Sequence, residues 1–223
     1  FDRSLEVYGI KIGGLKSLGG NDAVEDEFIR KVAETIKMLL NPNAANIDLS
    51  SQRKAINKLK EVNTLQRIGV EEYNSYYPKL DGGGYNGWEL TNDTHSVTDF
   101  IWQFNLPGDE IRTTNNQITE VLEHLLHTLV RFALPGAFPN QFLLIDAWGI
   151  EEGRTNEQNI ELSGLLYEAA KEAINNGVFD ASSYKDFGEG STEYWKIVMT
   201  EYQYLLTFAE WGFIEIFAEN GSM

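Results

Sequence analysis

Hydrophobic positions change their spacing along the chain. Over residues 5–12, LEVYGIKI, apolar and polar residues alternate, and Gly13-Gly14 follow directly. Alternation with β-branched residues is typical of a strand. From about residue 22 the apolar residues recur at steps of three and four instead, which predicts an amphipathic helix that is capped by Asn21 or Asp22 and ends near Leu40.

The same spacing predicts four more helices. A short basic helix begins at a cap on Ser50 or Ser51 and ends near Val62, and three others cover about residues 115–133, 157–175 and 191–217. Pro135-Gly136 and Asn176-Gly177 are expected to close the first two of these three, because proline and glycine commonly end helices.

Residues 63–113 are irregular and rich in glycine, asparagine and aromatic residues, with short strands expected near 88–90 and 100–104. A length of 223 residues favours one domain over two. We therefore predict an α+β fold: a mainly helical single domain over residues 1–223, with a small sheet from the N-terminus and the 63–113 region.

Composition excludes several kinds of function. The net charge is −16, from 34 acidic and 18 basic residues, and opposes binding to nucleic acid or anionic lipid. The absence of cysteine rules out disulfides, thiolate metal sites and a cysteine nucleophile. No apolar run approaches the roughly 18 residues that a membrane span needs.

The first residue and the composition bear on where the protein is located. The chain begins at Phe1 rather than Met, which is compatible with removal of a signal peptide. Together with the acidic balance and the missing cysteines, this favours a secreted or periplasmic protein, and a cytoplasmic location is the alternative.

Two of the three histidines lie on one turn of the predicted helix 115–133. At about 100° per residue, this helix has a broad apolar face and a narrow polar stripe opposite to it. The stripe consists of Glu120, Glu123, His124, His127 and Arg131. Its Glu and His side chains can converge beside the helix, which indicates a metal site; a solvated polar face is the alternative.

The segment Glu123-His124-Leu125-Leu126-His127 resembles the active-site helix of zinc metallopeptidases, the zincins, whose motif is H-E-x-x-H. Aligned on spacing, Glu123 and His127 are the ligands and His124 takes the position of the base. Aligned on the inverted motif H-x-x-E-H, Glu120 and His124 are the ligands and Glu123 is the base. A third choice is His124 and His127 as the ligand pair. The segment is also similar to an E-H-L-L-H-T stretch of uncharacterised bacterial proteins, which implies no function.

Glu201 occupies an unexpected position in the last helix. On a helical wheel it lies at the centre of an apolar, aromatic face that includes Tyr194, Val198, Tyr204 and Phe208. A buried carboxylate needs a partner. That partner is an arginine such as Arg131, a buried tyrosine hydroxyl, or a metal ion.

These patterns lead to one main hypothesis, a metal-dependent hydrolase of the zincin kind that acts on a small-molecule or peptide substrate, with a peptide or amide bond as the first guess. The expected ligands to zinc, or to another divalent transition metal, are His124, His127 and Glu201, and Glu123 is the base with Glu120 as alternate.

His95, in the aromatic region, could complete a set of three histidines, although a surface position is favoured for it. The competing hypothesis is a non-catalytic secreted binding protein that recognises its partner through aromatic residues of the 63–113 region and holds at most a structural metal.

Overall fold

The computed structural model describes residues 1–17, 22–70, 95–104, 114–138, 140–142 and 164–217. It confirms the α+β class, with a small mixed sheet and predominantly helical structure around it. The strands are β1 (Arg3–Val7), β2 (Ile10–Gly14), β3 (Thr64–Val70) and β4 (Ser96–Gln103). The helices are α1 (Asp26–Leu39), α2 (Leu49–Glu61), α3 (Thr114–Thr128), α4 (Leu134–Ala137), α5 (Leu165–Asn175), α6 (Thr192–Glu210) and α7 (Ile214–Phe217).

The N-terminal segment is a hairpin, so the prediction of one strand over residues 5–12 is wrong. Strands β1 and β2 pair antiparallel, with Val7 opposite Ile10. Tyr8 and Gly9 form the turn and both have positive φ, 51° and 86°. Positive φ at both positions is typical of two-residue hairpin turns. Tyr-Gly is a weaker turn signal than the usual Asn-Gly, and the alternation on its own fits one long strand equally well.

The sheet has the order β1-β2-β3-β4, and β2/β3 and β3/β4 are parallel pairs. Two of its strands come from the 63–113 region, as predicted, but residues 64–70 were expected to be irregular and instead form the interior strand β3. Its sequence TLQRIGV mixes polar and apolar residues, and all but Arg67 are buried. Burial on both faces removes the alternation that identifies a half-exposed strand. The strand expected at 88–90 lies outside the described residues.

Helices α1 and α2 were predicted correctly in kind but begin at different residues. Helix α1 starts after Glu25, and Val24, which precedes it, is nevertheless buried. Helix α2 starts after Asp48, whose carboxylate accepts hydrogen bonds from the backbone N–H groups of Ser50 and Ser51. Capping by Asp48 supplies acceptors for donors at the helix end that otherwise lack partners.

Helix α3 does not end where Pro135 was expected to close it. A π-helical segment, Leu129–Ala133, continues α3, and α4 follows with Pro135 in its first turn. Proline lacks an N–H and crowds the carbonyl four residues earlier, here that of Arg131. The wider π turn lies at that point, so the chain stays helical. Short π segments occur frequently next to functional sites.

The C-terminal half contains α5, a 3-10 helix at Ser182–Phe187, and α6. Asn176 and Gly177 end α5 as predicted, and Gly177 has φ of +67°. The long helix expected over 191–217 is interrupted at Gly212, where φ is +68°, and resumes as α7. Helix α6 packs on α3 and α5.

The main core lies between the sheet and the helices α1, α2 and α3. Its completely buried members include Ile10, Ile12, Val32, Leu59, Ile68 and Ile101. None of the described helices combines the length and apolar character that crossing a membrane requires.

Candidate metal site

Two polar side chains fix helix α3 against the edge of the described sheet. The Gln117 side chain accepts a hydrogen bond from Phe104 N at 2.9 Å and donates one to Trp102 O at 2.9 Å. One turn later, Glu120 Oε1 accepts from Trp102 N at 2.7 Å. These bonds occupy backbone groups that an edge strand otherwise leaves open, and they set the rotation of α3 about its axis.

With α3 held in this rotation, three side chains of the polar stripe meet. Glu123, His124 and His127 each offer one ligand atom, and these atoms all lie within 4.8 Å of one another. The cluster could therefore hold a metal ion. His127 is buried, and the other two side chains are half-buried.

Glu120 orients His124. Its Oε1 lies 3.2 Å from His124 Nε2, and the two side chains are only 15% and 13% exposed. His124 Nδ1 is buried on the other side of the ring. A histidine that binds a metal commonly donates its other ring N–H to a carboxylate, which fixes the tautomer and the ring. Glu120 therefore restrains the orientation of the His124 ring beside the cluster.

His127 connects α3 to α6. Its side chain is 2% exposed, and its Nε2 lies 3.6 Å from Glu201 Oε1. Its ring also packs edge-on against Tyr204, with the ring centroids 5.3 Å apart. The aromatic face of α6 and the polar stripe of α3 thus meet at this imidazole.

Glu201 lies on the inner side of α6, as its position on the apolar face of the helix had suggested. Its side chain is 19% exposed, and Tyr184 of the 3-10 helix lies near enough for the Glu201 carboxylate to raise the pKa of its hydroxyl. A tyrosine, one of the kinds of neighbour that the sequence suggested, therefore lies near Glu201. Arg131, the other suggested partner, directs its Nε to Thr200 Oγ1 at 3.4 Å.

Burial and three neighbouring carboxylates set the electrostatics of the cluster. Burial raises the pKa of Glu123 most, His124 and His127 oppose this shift, and the nearby Glu201 and Glu120 carboxylates add a smaller rise. The pKa of Tyr184 is raised to about 12, first by burial and then by Glu201. The pKa of Tyr204 is raised in the same way, by burial and then by Glu123 and Glu201. A cation bound here would relieve this accumulation of negative charge.

The remaining site prediction concerned His95. It is 4% exposed and directly precedes β4, so the surface position favoured for it is wrong. The group of converging ligand atoms among the described residues does not include His95. A histidine flanked by polar residues gives no pattern from which burial can be recognised.

Sequence reasoning missed Tyr184, which lies near Glu201. Tyr204, which the helical wheel places on the same face as Glu201, also packs on Phe208, with 5.4 Å between the ring centroids. Tyr184 lies in a 3-10 segment with no apolar periodicity, so the sequence contains no signal for it. The aromatic residues 73–88 lie outside the described residues.

The ligand types in the cluster fit a divalent transition metal. In a tetrahedral zinc site with bonds of about 2.0–2.2 Å, two ligand atoms lie roughly 3.3–3.6 Å apart, so the side chains of the cluster, whose ligand atoms lie within 4.8 Å of one another, would draw together on binding the ion. Imidazole and carboxylate ligands suit zinc, manganese, iron and nickel.

Comparison with known proteins finds no family model, curated protein or solved structure that matches the chain. The resemblance to zincins is therefore supported by the local cluster alone, which is compatible with a site of the H-E-x-x-H kind.

Proposed function

We propose that the protein is a metal-dependent hydrolase with a single zinc, or similar divalent ion, bound beside helix α3. The observation that carries the proposal is the approach of the ligand atoms of Glu123, His124 and His127 to within 4.8 Å of one another. Coordinated water has its pKa lowered towards about 7 by such an ion, which makes hydroxide available near neutral pH.

The geometry favours a different division of roles from the one expected from the sequence. Glu123 lies within the ligand cluster and so suits the role of a third ligand, together with His124 and His127. Glu201 flanks the cluster, 3.6 Å from His127 Nε2, and suits the role of proton acceptor. Two histidines and one glutamate form a known catalytic zinc set that leaves a position open for water.

The surrounding residues support these roles. Glu120 holds His124 by its Nε2 while remaining bonded to the backbone of β4. Tyr184 lies near Glu201, which raises the pKa of the tyrosine hydroxyl. A positioned general base contributes about 10²–10⁴-fold to rate in typical enzymes.

The substrate class follows only from the resemblance to zincins. A peptide or amide bond in a small molecule or peptide is the first choice, and a secreted or periplasmic location belongs to the same proposal. The strongly acidic surface, with a net charge of −16, disfavours polyanionic substrates.

The first experiment is elemental analysis by mass spectrometry of protein purified without chelators and then exchanged into metal-free buffer. We expect one transition-metal ion per chain in the wild type and loss of that ion in His124→Ala. The matched control is Glu210→Gln, an exposed carboxylate at the end of α6. Wild-type protein without stoichiometric metal, even after reconstitution with zinc, would end the proposal.

A second experiment separates the two glutamates. If Glu123 is a ligand and Glu201 the base, Glu123→Gln loses the metal, whereas Glu201→Gln retains it and loses hydrolysis of a fluorogenic peptide library. Retention of metal by Glu123→Gln and loss by Glu201→Gln would reverse the two roles. Hydrolysis that is undiminished in both variants contradicts catalysis at this site.

A further inference from the structure

A cavity lies on the other side of helix α3 from the metal cluster. It has a volume of about 540 Å³ and lies between α1, the N-terminal half of α3 and the turn after α6. Volumes of about 300–1,000 Å³ are usual for pockets that bind small molecules. Val121 and Leu122 contribute to its wall from the apolar face of α3, opposite the polar stripe.

The lining of this cleft is apolar with one charged group. Phe28, Val32, Val121 and Leu122 form a buried base, each at most 9% exposed. Lys31 is the single charged residue among those that line the cleft, and Thr35 follows it one turn later on α1. A mostly apolar wall with a few polar groups at defined positions is the usual composition of a ligand pocket.

The apolar residues at the mouth of the cleft are exposed to an unusual degree. Met38 is 70% exposed, Trp211 44% and Ile118 36%, and all three line the cleft. Single exposed hydrophobic residues are ordinary, whereas several around one concave surface indicate a place where another molecule is bound.

We propose that this cleft binds a small amphipathic molecule with an aliphatic chain and an anionic head, such as a fatty acid. The chain would lie against the apolar base, and the carboxylate would meet the Lys31 ammonium at the rim. Charge complementarity selects this occupant, because among the described residues that line the cleft the one charged group is positive, although the chain as a whole carries −16. The proposal is independent of metal binding and of hydrolysis.

The test is calorimetric titration of the full chain with decanoate below its micelle concentration, compared with decylammonium and with butyrate. In about 0.15 M salt the Debye length is about 8 Å, so the general negative charge is largely screened and the local Lys31 decides. We expect one saturable decanoate site, weaker binding of decylammonium and none of butyrate. Decanoate should also raise the melting temperature, since a ligand of the folded state stabilises it.

Variants connect this binding to the cleft. Lys31→Gln should weaken decanoate binding about threefold to tenfold, in the range of a partly exposed charge-assisted contact, and tighten decylammonium binding, because the repulsion between the two ammonium groups is removed. Lys54→Gln, at an exposed position on α2, is the matched control and should change nothing. Met38→Glu, at a residue 70% exposed and therefore safe for folding, should weaken decanoate further by placing a negative charge at the mouth.

Three results would overturn the proposal: no saturable decanoate binding, decylammonium binding as tight as decanoate binding, or equal effects of Lys31→Gln and Lys54→Gln. Trp211 supplies a direct reporter at the site. Its fluorescence should change on addition of decanoate, and Trp211→Phe should abolish that change; persistence of the full change in this variant contradicts binding in this cleft.

Discussion

Helix α3 contributes to two polar clusters in the interior. Thr128 belongs to one cluster, and the preceding residue, His127, belongs to the other. In the first, the Thr128 hydroxyl donates to Gln66 Oε1 at 2.7 Å and is hydrogen-bonded to the Thr98 hydroxyl. All three residues are at most 4% exposed. The second cluster begins at the preceding residue, His127, and brings ionisable side chains of α3 and α6 together.

The difference lies in how each cluster meets the cost of burying polar atoms. The threonine–glutamine cluster is neutral, and its donors and acceptors match each other, as buried polar groups in stable cores normally do. The histidine cluster places Glu120, Glu123 and Glu201 near two imidazoles. Burial raises the pKa of Glu123, the imidazoles oppose this shift, and Glu201 and Glu120 add to it. An arrangement that accumulates like charge in a buried place costs stability, and such arrangements are concentrated at functional sites.

The comparison predicts the largest effect for loss of an imidazole. His127→Ala should lower zinc affinity by more than about a hundredfold, since removal of a ligand exceeds the 10–100-fold typical of residues that only orient a ligand. Competition titration with a chromophoric chelator measures this. Thr128→Ser, one residue away, is the control and should bind zinc as the wild type does. Equal zinc affinity in both variants would contradict the inferred difference, in which the histidine cluster binds the metal and the threonine–glutamine cluster does not.

Glu120 joins the site to the sheet, and its substitution should have the next largest effect. Glu120→Gln keeps an oxygen that can accept from Trp102 N but removes the negative charge beside His124 Nε2. Zinc affinity should fall about 10–100-fold, with little change in melting temperature. If instead the melting temperature falls and zinc affinity is retained, Glu120 serves only to dock α3 on β4.

Substitutions in the neutral cluster should lower the unfolding free energy and not the affinity for zinc. Thr128→Val removes the hydroxyl and leaves the buried Gln66 oxygen without this donor, so unfolding free energy should fall by about 1–3 kcal/mol. Thr128→Ser retains the hydroxyl and should cost less, about the value of one methyl group, ~1 kcal/mol. Urea denaturation of metal-free protein measures both. A larger loss in the serine variant would contradict a structural role for the hydrogen bond.

Much of the fold could be predicted because it follows from local periodicity. The α+β class, the existence of α1, α2, α3 and α6, and the contribution of the 63–113 region to the sheet all follow from spacing of apolar residues. The hairpin turn at Tyr8-Gly9 and the π segment before Pro135 could not be predicted, because each depends on backbone conformations that the side-chain pattern does not specify.

For the site, the polar stripe and the unusual position of Glu201 were visible in the sequence, because a helical wheel places residues on faces. The sequence did not show which side chains of α3 contact the sheet and which contact α6. Gln117 and Glu120 bond to the backbone of Trp102 in β4, whereas His127 contacts Glu201 of α6. That division depends on which strand and which helix lie beside α3, and a single sequence contains no such information. The single-domain organisation remains a prediction.

The smallest predicted effect concerns a carboxylate on the surface. Its pKa is shifted in the opposite direction from the pKa of Glu123. Asp48 caps α2, and hydrogen bonds from Ser51 and Ser50 lower its pKa below its ordinary value. Because the folded pKa is the lower one, the stabilisation is complete above the unfolded value of 3.8 and is lost as pH falls through the folded pKa.

Asp48→Asn retains capping oxygen but does not titrate, so it should match the wild type near pH 7 and lose less of its melting temperature between pH 5 and pH 3. Asp186→Asn removes an exposed carboxylate from the 3-10 helix and serves as the control for a change of net charge alone. If both variants show the same pH dependence, net charge and not the cap accounts for it. A difference confined to Asp48→Asn means that exposed carboxylates here are stabilised as anions by local hydrogen bonds, in contrast to the buried Glu123.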